Sequence, residues 1–72
     1  MKREHLGSSM MASAGYDAVT RTLEIEFVRG GIYLYLDVPA SEHQALLAAP
    51  SKGRFFHSRI NRAFAYKRVD RH

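Results

Sequence analysis

Thr22-Leu23-Glu24-Ile25-Glu26-Phe27-Val28-Arg29-Gly30-Gly31-Ile32-Tyr33-Leu34-Tyr35-Leu36 is the stretch that decides the fold. Its first half alternates with period two: Leu23, Ile25 and Phe27 share one face, and Glu24 and Glu26 the other. Arg29-Gly30-Gly31 marks a tight turn, because glycine enters positive φ without strain. The second half alternates again, with Ile32, Leu34 and Leu36 on one face and Tyr33 and Tyr35 on the other. A two-residue loop, Gly30-Gly31 or Arg29-Gly30, sets the apolar side chains of both strands together and places the glutamates beside the tyrosines. The expectation is a hairpin with an aliphatic core face and a Glu/Tyr outer face.

Working outward, Asp17-Ala18-Val19-Thr20-Arg21 reads as a turn, since an aspartate side chain bonds the backbone ahead of it. Met10 to Tyr16 is a candidate first strand before it. Pro39 ends the hairpin and suits the first turn of a helix. Ala40 to Ala48 is rich in helix formers, with Glu42 near the positive end of the dipole and Leu46 and Leu47 as apolar anchors. Pro50 stops that helix. Ser51 is a suitable N-cap for a second one reaching about Ile60, with Gly53 as a weak point. At 100° per residue Phe56 and Ile60 share a side with Gly53, while Lys52, Arg59 and Arg62 gather elsewhere around Phe55. Ala63 to Val69 alternates and supplies a candidate C-terminal strand. Residues 1–9 show no periodicity and read as a flexible arm. The expected fold is α+β: a three-stranded antiparallel meander with two helices on its apolar face, in one domain over residues 10–72.

With 72 residues the chain buries only roughly 60% of its unfolded surface, so a groove or sheet face is a more natural binding surface than a deep cavity. No cysteine is present, which excludes disulfides, thiolate nucleophiles and zinc–thiolate sites and points to a reducing, cytoplasmic setting. No apolar run approaches a membrane span, and Met1-Lys2-Arg3-Glu4-His5 has charge but no apolar signal region, so neither a membrane partner nor a signal peptide is expected. His5, His43, His57 and His72 are scattered, and no metal-binding or phosphate-loop motif appears. No enzyme, cofactor, metal or small-molecule substrate is expected. A solvated strand face explains Glu24 and Glu26 better than an acid–base pair does.

The net charge of +4 is unevenly spread. Residues 1–50 hold four basic side chains against six acidic, and residues 51–72 hold seven against one. A phosphate-rich partner fits that bias, although a solvated charged face produces the same count. Lys52, Arg54, Arg59, Arg62, Lys67 and Arg68 are the candidate phosphate contacts. Tyr33 and Tyr35, two apart on the outer strand face, are candidate base-stacking residues. Ser51, Lys52 and Gly53 at the opening of the second helix are candidate anion ligands. Aromatics interleave these cations (Phe55, Phe64, Tyr66), but a chain this short needs most of its rings inside.

Gly15-Tyr16-Asp17, Leu23-x-Ile25-x-Phe27, Gly30-Gly31, Tyr33-Leu34-Tyr35, Val38-Pro39, Leu46, Ala49-Pro50-Ser51-Lys52-Gly53, Phe56 and Ile60 together resemble the KTSC domain over about residues 10–69. That family takes its name from the C-terminus of some lysyl-tRNA synthetases and also occurs alone in small bacterial and phage proteins. The resemblance implies an RNA partner, tRNA first, by association only, and offers no catalytic residues to carry over. Arg29 stands where the family often has an acid, and Phe64-Ala65 where it often has Tyr-Pro. The two expectations are therefore a non-enzymatic RNA-binding module acting through the second helix and tail, and a protein-interaction or self-assembly domain using an open sheet edge or the tyrosine face.

Overall fold

A computed structural model describes residues 3–69. Five strands form one antiparallel sheet in the order of the chain: β1 (Arg3–His5), β2 (Met11–Asp17), β3 (Thr22–Phe27), β4 (Ile32–Tyr35) and β5 (Tyr66–Val69). Between β4 and β5 come helix α1 (Ala40–Ala48), helix α2 (Lys52–Phe55) and a π-helical turn, Phe56–Ile60, that continues α2. The expected three-stranded meander thus gains a strand at each edge. The C-terminal candidate is β5. Residues 3–9, expected as a flexible arm, instead supply β1 and the buried Leu6, whose N–H bonds the Ala12 carbonyl at 3.3 Å.

Local chemistry explains the connections. Asp17 Oδ1 accepts from the N–H groups of Val19 (2.9 Å) and Thr20 (3.4 Å), which closes the β2–β3 turn as an Asx motif. Between β3 and β4, the hydrogen-bonded pair of Phe27 and Gly31 encloses a three-residue loop, Val28, Arg29 and Gly30. Phe27 N–H bonds the Gly31 carbonyl (3.1 Å), and Gly30 N–H bonds the Phe27 carbonyl (2.9 Å). Gly30 and Gly31 lie at φ 112° and 93°, a region that costs any other residue strain.

That odd loop overturns the expected faces. Leu23 lies opposite Tyr35, Ile25 opposite Tyr33, Glu24 opposite Leu34 and Glu26 opposite Ile32. A one-residue change in register moves every side chain of a strand to the other face. Tyr33 and Tyr35 therefore point toward the helices with Leu23 and Ile25, and Ile32 and Leu34 share the far face with the glutamates. Leu36, expected in the core, is exposed.

The core fills the space between the sheet and the helical layer. Met11, Leu23, Ile25, Val38, Leu46 and Ile60 are fully buried, and Tyr35 and Phe56 nearly so. Each such aliphatic side chain contributes roughly 1.5–3 kcal/mol by leaving water. Tyr16 crosses this layer to donate its hydroxyl to the Val38 carbonyl at 2.5 Å and stacks on His43 with centroids 5.1 Å apart. On the far face, Arg3 of β1 forms ion pairs with Glu24 and Glu26, and Ser13 Oγ bonds Glu26 Oε1 at 3.2 Å. The two carboxylates are thus held by a neighbouring arginine on the side away from the helices.

Candidate functional site

Five aromatic rings on the helix-bearing side close into a circuit. Phe27 meets Tyr33 at 5.3 Å, Tyr33 meets Tyr66 at 5.5 Å, and Tyr66 meets Tyr35 at 5.6 Å. Tyr35 meets Phe56 at 5.6 Å and Phe56 returns to Phe27 at 5.5 Å. Contacts through Phe27 and Phe56 are edge-on, while those through Tyr66 are tilted; both geometries suit the quadrupoles of the rings.

The circuit follows from register. Tyr33 and Tyr35, two apart on β4, share a face, and β5 sets Tyr66 directly opposite Tyr35 and Arg68 opposite Tyr33. Phe56 enters from above because the helix widens there: Asn61 N–H bonds the Phe56 carbonyl at 2.8 Å, five residues back. Ser58 Oγ donates to the Arg54 carbonyl at 2.9 Å and so competes for an acceptor that an α-helical turn uses. Such π insertions recur at functional sites.

These rings line an open groove of about 660 Å³, completed by Ser9, Met10, Arg29, Gly30 and Asn61. Among the described residues, Arg29 is the one charged side chain in the lining, at the tip of the β3–β4 hairpin, and no carboxylate lines the groove. The Arg68 guanidinium carbon lies 5.8 Å from the Tyr33 centroid, adding a second cation beside the aromatic wall. Burial, reinforced by Tyr66 and Tyr33, pushes the Tyr35 phenol up to about 12. It stays neutral and keeps its proton available for donation across the ordinary pH range.

Of the candidate site residues, Tyr33, Tyr35 and Arg68 come together here, although the tyrosines reach the site from the face opposite to the one expected. The other cations are dispersed. Arg59 Nη2 lies 3.1 and 3.2 Å from the two oxygens of Glu42, with its guanidinium over the Phe55 ring. Lys52 Nζ turns back to the Ala49 carbonyl at 2.9 Å. Arg54 and Arg62 are exposed, and Lys67 stands opposite Leu34 on the far face of the sheet.

Ser51, Lys52 and Gly53 border a second, smaller groove of about 410 Å³ with residues 6–10. The Ser51 hydroxyl accepts from Arg54 N–H at 3.4 Å as an N-cap, and α2 is only four residues long. A Cβ on Gly53 would meet nothing closer than Met10 Cε at 3.8 Å. No packing contact within the fold therefore requires a glycine at this position.

Phe27, Arg29, Phe56, Asn61 and Tyr66 were not singled out by sequence as one site. The signal that unites them is the parity of the hairpin loop: a three-residue loop puts Tyr-x-Tyr under the helices. Among the described residues, no group of three or more His, Cys, Asp or Glu is placed to hold a metal ion, and no helix is long and apolar enough to cross a membrane.

The comparisons agree on a family. The KTSC domain model matches residues 7–64. A KTSC domain protein of known structure from Yersinia pestis superposes with a TM-score of 0.93 at 42% identity, covering 96% of this chain and 97% of that one. An uncharacterised protein of Stutzerimonas stutzeri is 44% identical over 71 residues, covering 97% of this chain and all of its own length. A lysine–tRNA ligase of Nostoc is 39% identical over 61 residues, which is 85% of this chain but only 11% of the ligase. This chain therefore belongs to the KTSC domain family, in a form matched end to end by small proteins and in part by a segment of lysine–tRNA ligases.

Proposed function

We propose that the protein is a non-enzymatic, cytoplasmic RNA-binding module, and that the aromatic groove with Arg29 and Arg68 beside it is its contact surface. The observation that carries this reading is the composition of the groove: five rings, an arginine at the lip and, among the described residues, no carboxylate. Rings offer stacking surface to bases of any sequence, and guanidinium groups suit phosphates. The relationship to lysine–tRNA ligases makes tRNA the first RNA to try. Arg54 and Arg62 supply further exposed cations for the backbone.

Fluorescence anisotropy with labelled tRNA over a range of salt tests the reading. Binding is expected to weaken with salt. Replacing Arg29 with glutamine is expected to flatten the slope by about one unit, for the phosphate that goes unneutralised. Arg59→Gln is expected to change the slope less, because Glu42 already pairs that guanidinium. No binding at low salt overturns the reading.

A second reading rests on a different observation. β5 is an edge strand, and all four of its residues are exposed. Such an edge accepts a strand from another protein or another copy. Sedimentation separates the two: a concentration-dependent dimer favours self-assembly, and a monomer favours the groove.

A further inference from the structure

We infer that the groove seats one unpaired nucleotide of a single strand, with its base against Tyr66 and its phosphate at Arg29. This rests on the RNA-binding reading and narrows it to a substrate class.

Tyr66 is the ring free to stack. It is 56% exposed, whereas Tyr35 is 3% exposed and Tyr33 carries the Arg68 guanidinium against its ring. Tyr33 and Tyr35 back Tyr66 at 5.5 and 5.6 Å and fix its orientation. An exposed aromatic held by its neighbours offers a face at little entropic cost. A base within a duplex has its faces covered by its neighbours, so this surface selects an unstacked base.

Charge decides between the two guests that aromatic enclosures usually take. A cationic guest is attracted to ring faces. Here it meets Arg29 in the lining, with no carboxylate among the described lining residues to offset that charge. A planar anionic guest meets the opposite balance. A groove of about 660 Å³ falls within the range of small-molecule sites, roughly 300–1,000 Å³, and is of nucleotide rather than duplex dimensions.

The remaining polar groups match a nucleotide. Asn61 is exposed on the rim and carries both amide donors and a carbonyl acceptor, the pair that reads the edge of a base. Gly30 sits beside Arg29, and beyond its two chain neighbours no atom lies within 4 Å of where a Cβ would be. The glycine leaves room for a phosphate to reach the Arg29 guanidinium at the lip.

Amide NMR of the intact chain, titrated with a hexaadenylate single strand, an RNA duplex of equal length and inorganic phosphate, tests this directly. The single strand is expected to shift Gly30, Asn61 and Tyr66, and the other two probes are expected to leave them in place. Tyr66→Ala and Arg29→Ala are each expected to weaken hexaadenylate binding about tenfold, with Tyr66→Phe retaining it. Arg29 is exposed on a turn, so its variant carries the test if Tyr66→Ala does not fold. Shifts confined to Arg54 and Arg62, or equal shifts of the groove by the duplex, overturn the nucleotide seat while leaving RNA binding intact. A silent spectrum with every RNA at low salt overturns both. Groove and β5 shifts that grow with protein concentration in the absence of RNA make the occupant a protein segment and overturn the seat.

Discussion

Tyr33 lies directly opposite Ile25 in the ladder between β3 and β4. Ile25 is fully buried beneath the helices, so this pairing commits Tyr33, and with it Tyr35, to the same side. The groove exists because of it. Phe27, Phe56 and Tyr66 then find the two tyrosines within 5.3–5.6 Å, and the glutamates of β3 are left on the opposite surface with Arg3.

Gly31→Ala is expected to damage both fold and groove. A Cβ there would meet Tyr33 Cε1 at 3.2 Å and the Arg68 guanidinium at 3.3 Å, on a backbone at φ 93°. Left-handed strain and this crowding together are expected to cost about 1–3 kcal/mol. Urea denaturation measures the loss. An unchanged midpoint contradicts the described hairpin.

Gly53→Ala is expected to do the reverse. The site is helical, and the added methyl would make an ordinary contact with Met10 Cε at 3.8 Å. Removing glycine's backbone freedom is expected to stabilise the chain by up to about 1 kcal/mol. A destabilised variant would contradict the open helical position described for Gly53.

His43 is expected to make the protein sensitive to acid. Its ring stacks on Tyr16, its Nε2 is buried without a hydrogen-bond partner among the described residues, and burial lowers its pKa from 6.5 against a weaker opposing pull from Glu4. A histidine whose folded pKa is depressed contributes stability that is complete above the unfolded value of 6.5 and is lost as the pH falls through the folded one. Denaturation midpoints are expected to fall between about pH 7.5 and pH 5. His43→Gln is expected to reduce that dependence; an identical slope in both chains contradicts it.

Tyr35 acts at the other end of the scale. With its folded pKa near 12 against an ordinary value of 10.0, its contribution is complete below pH 10.0 and is lost as the pH rises through the folded value. Ultraviolet titration of phenolate is expected to show a tyrosine ionising late, absent from Tyr35→Phe. A titration that is the same in both chains places Tyr35 outside the ring of aromatics.

Much of the fold is legible in the sequence. Period-two alternation marks β3 and β4, Pro39 and Pro50 frame α1, and Ser51 announces the cap of the second helix. What cannot be read is the number of residues in one loop. Val28 continues the strand pattern by composition, yet it belongs to the turn, and that single residue reverses the faces of β4. Tyrosine does not betray the reversal, because an amphipathic ring is acceptable on either surface. β1 is hidden by its three polar residues, whose strand character comes from pairing with β2. The charge bias of the C-terminal third is plain in the sequence, but a count does not reveal that Glu42, far away along the chain, neutralises Arg59.

Affinity for tRNA at low salt, measured side by side for the native chain and for Tyr66→Ala combined with Arg29→Ala, tests most directly whether RNA binds at the ring of aromatics. The double variant is expected to bind at least about tenfold more weakly, because it lacks one stacking ring and one phosphate partner. Equal affinity in the two folded chains would contradict it.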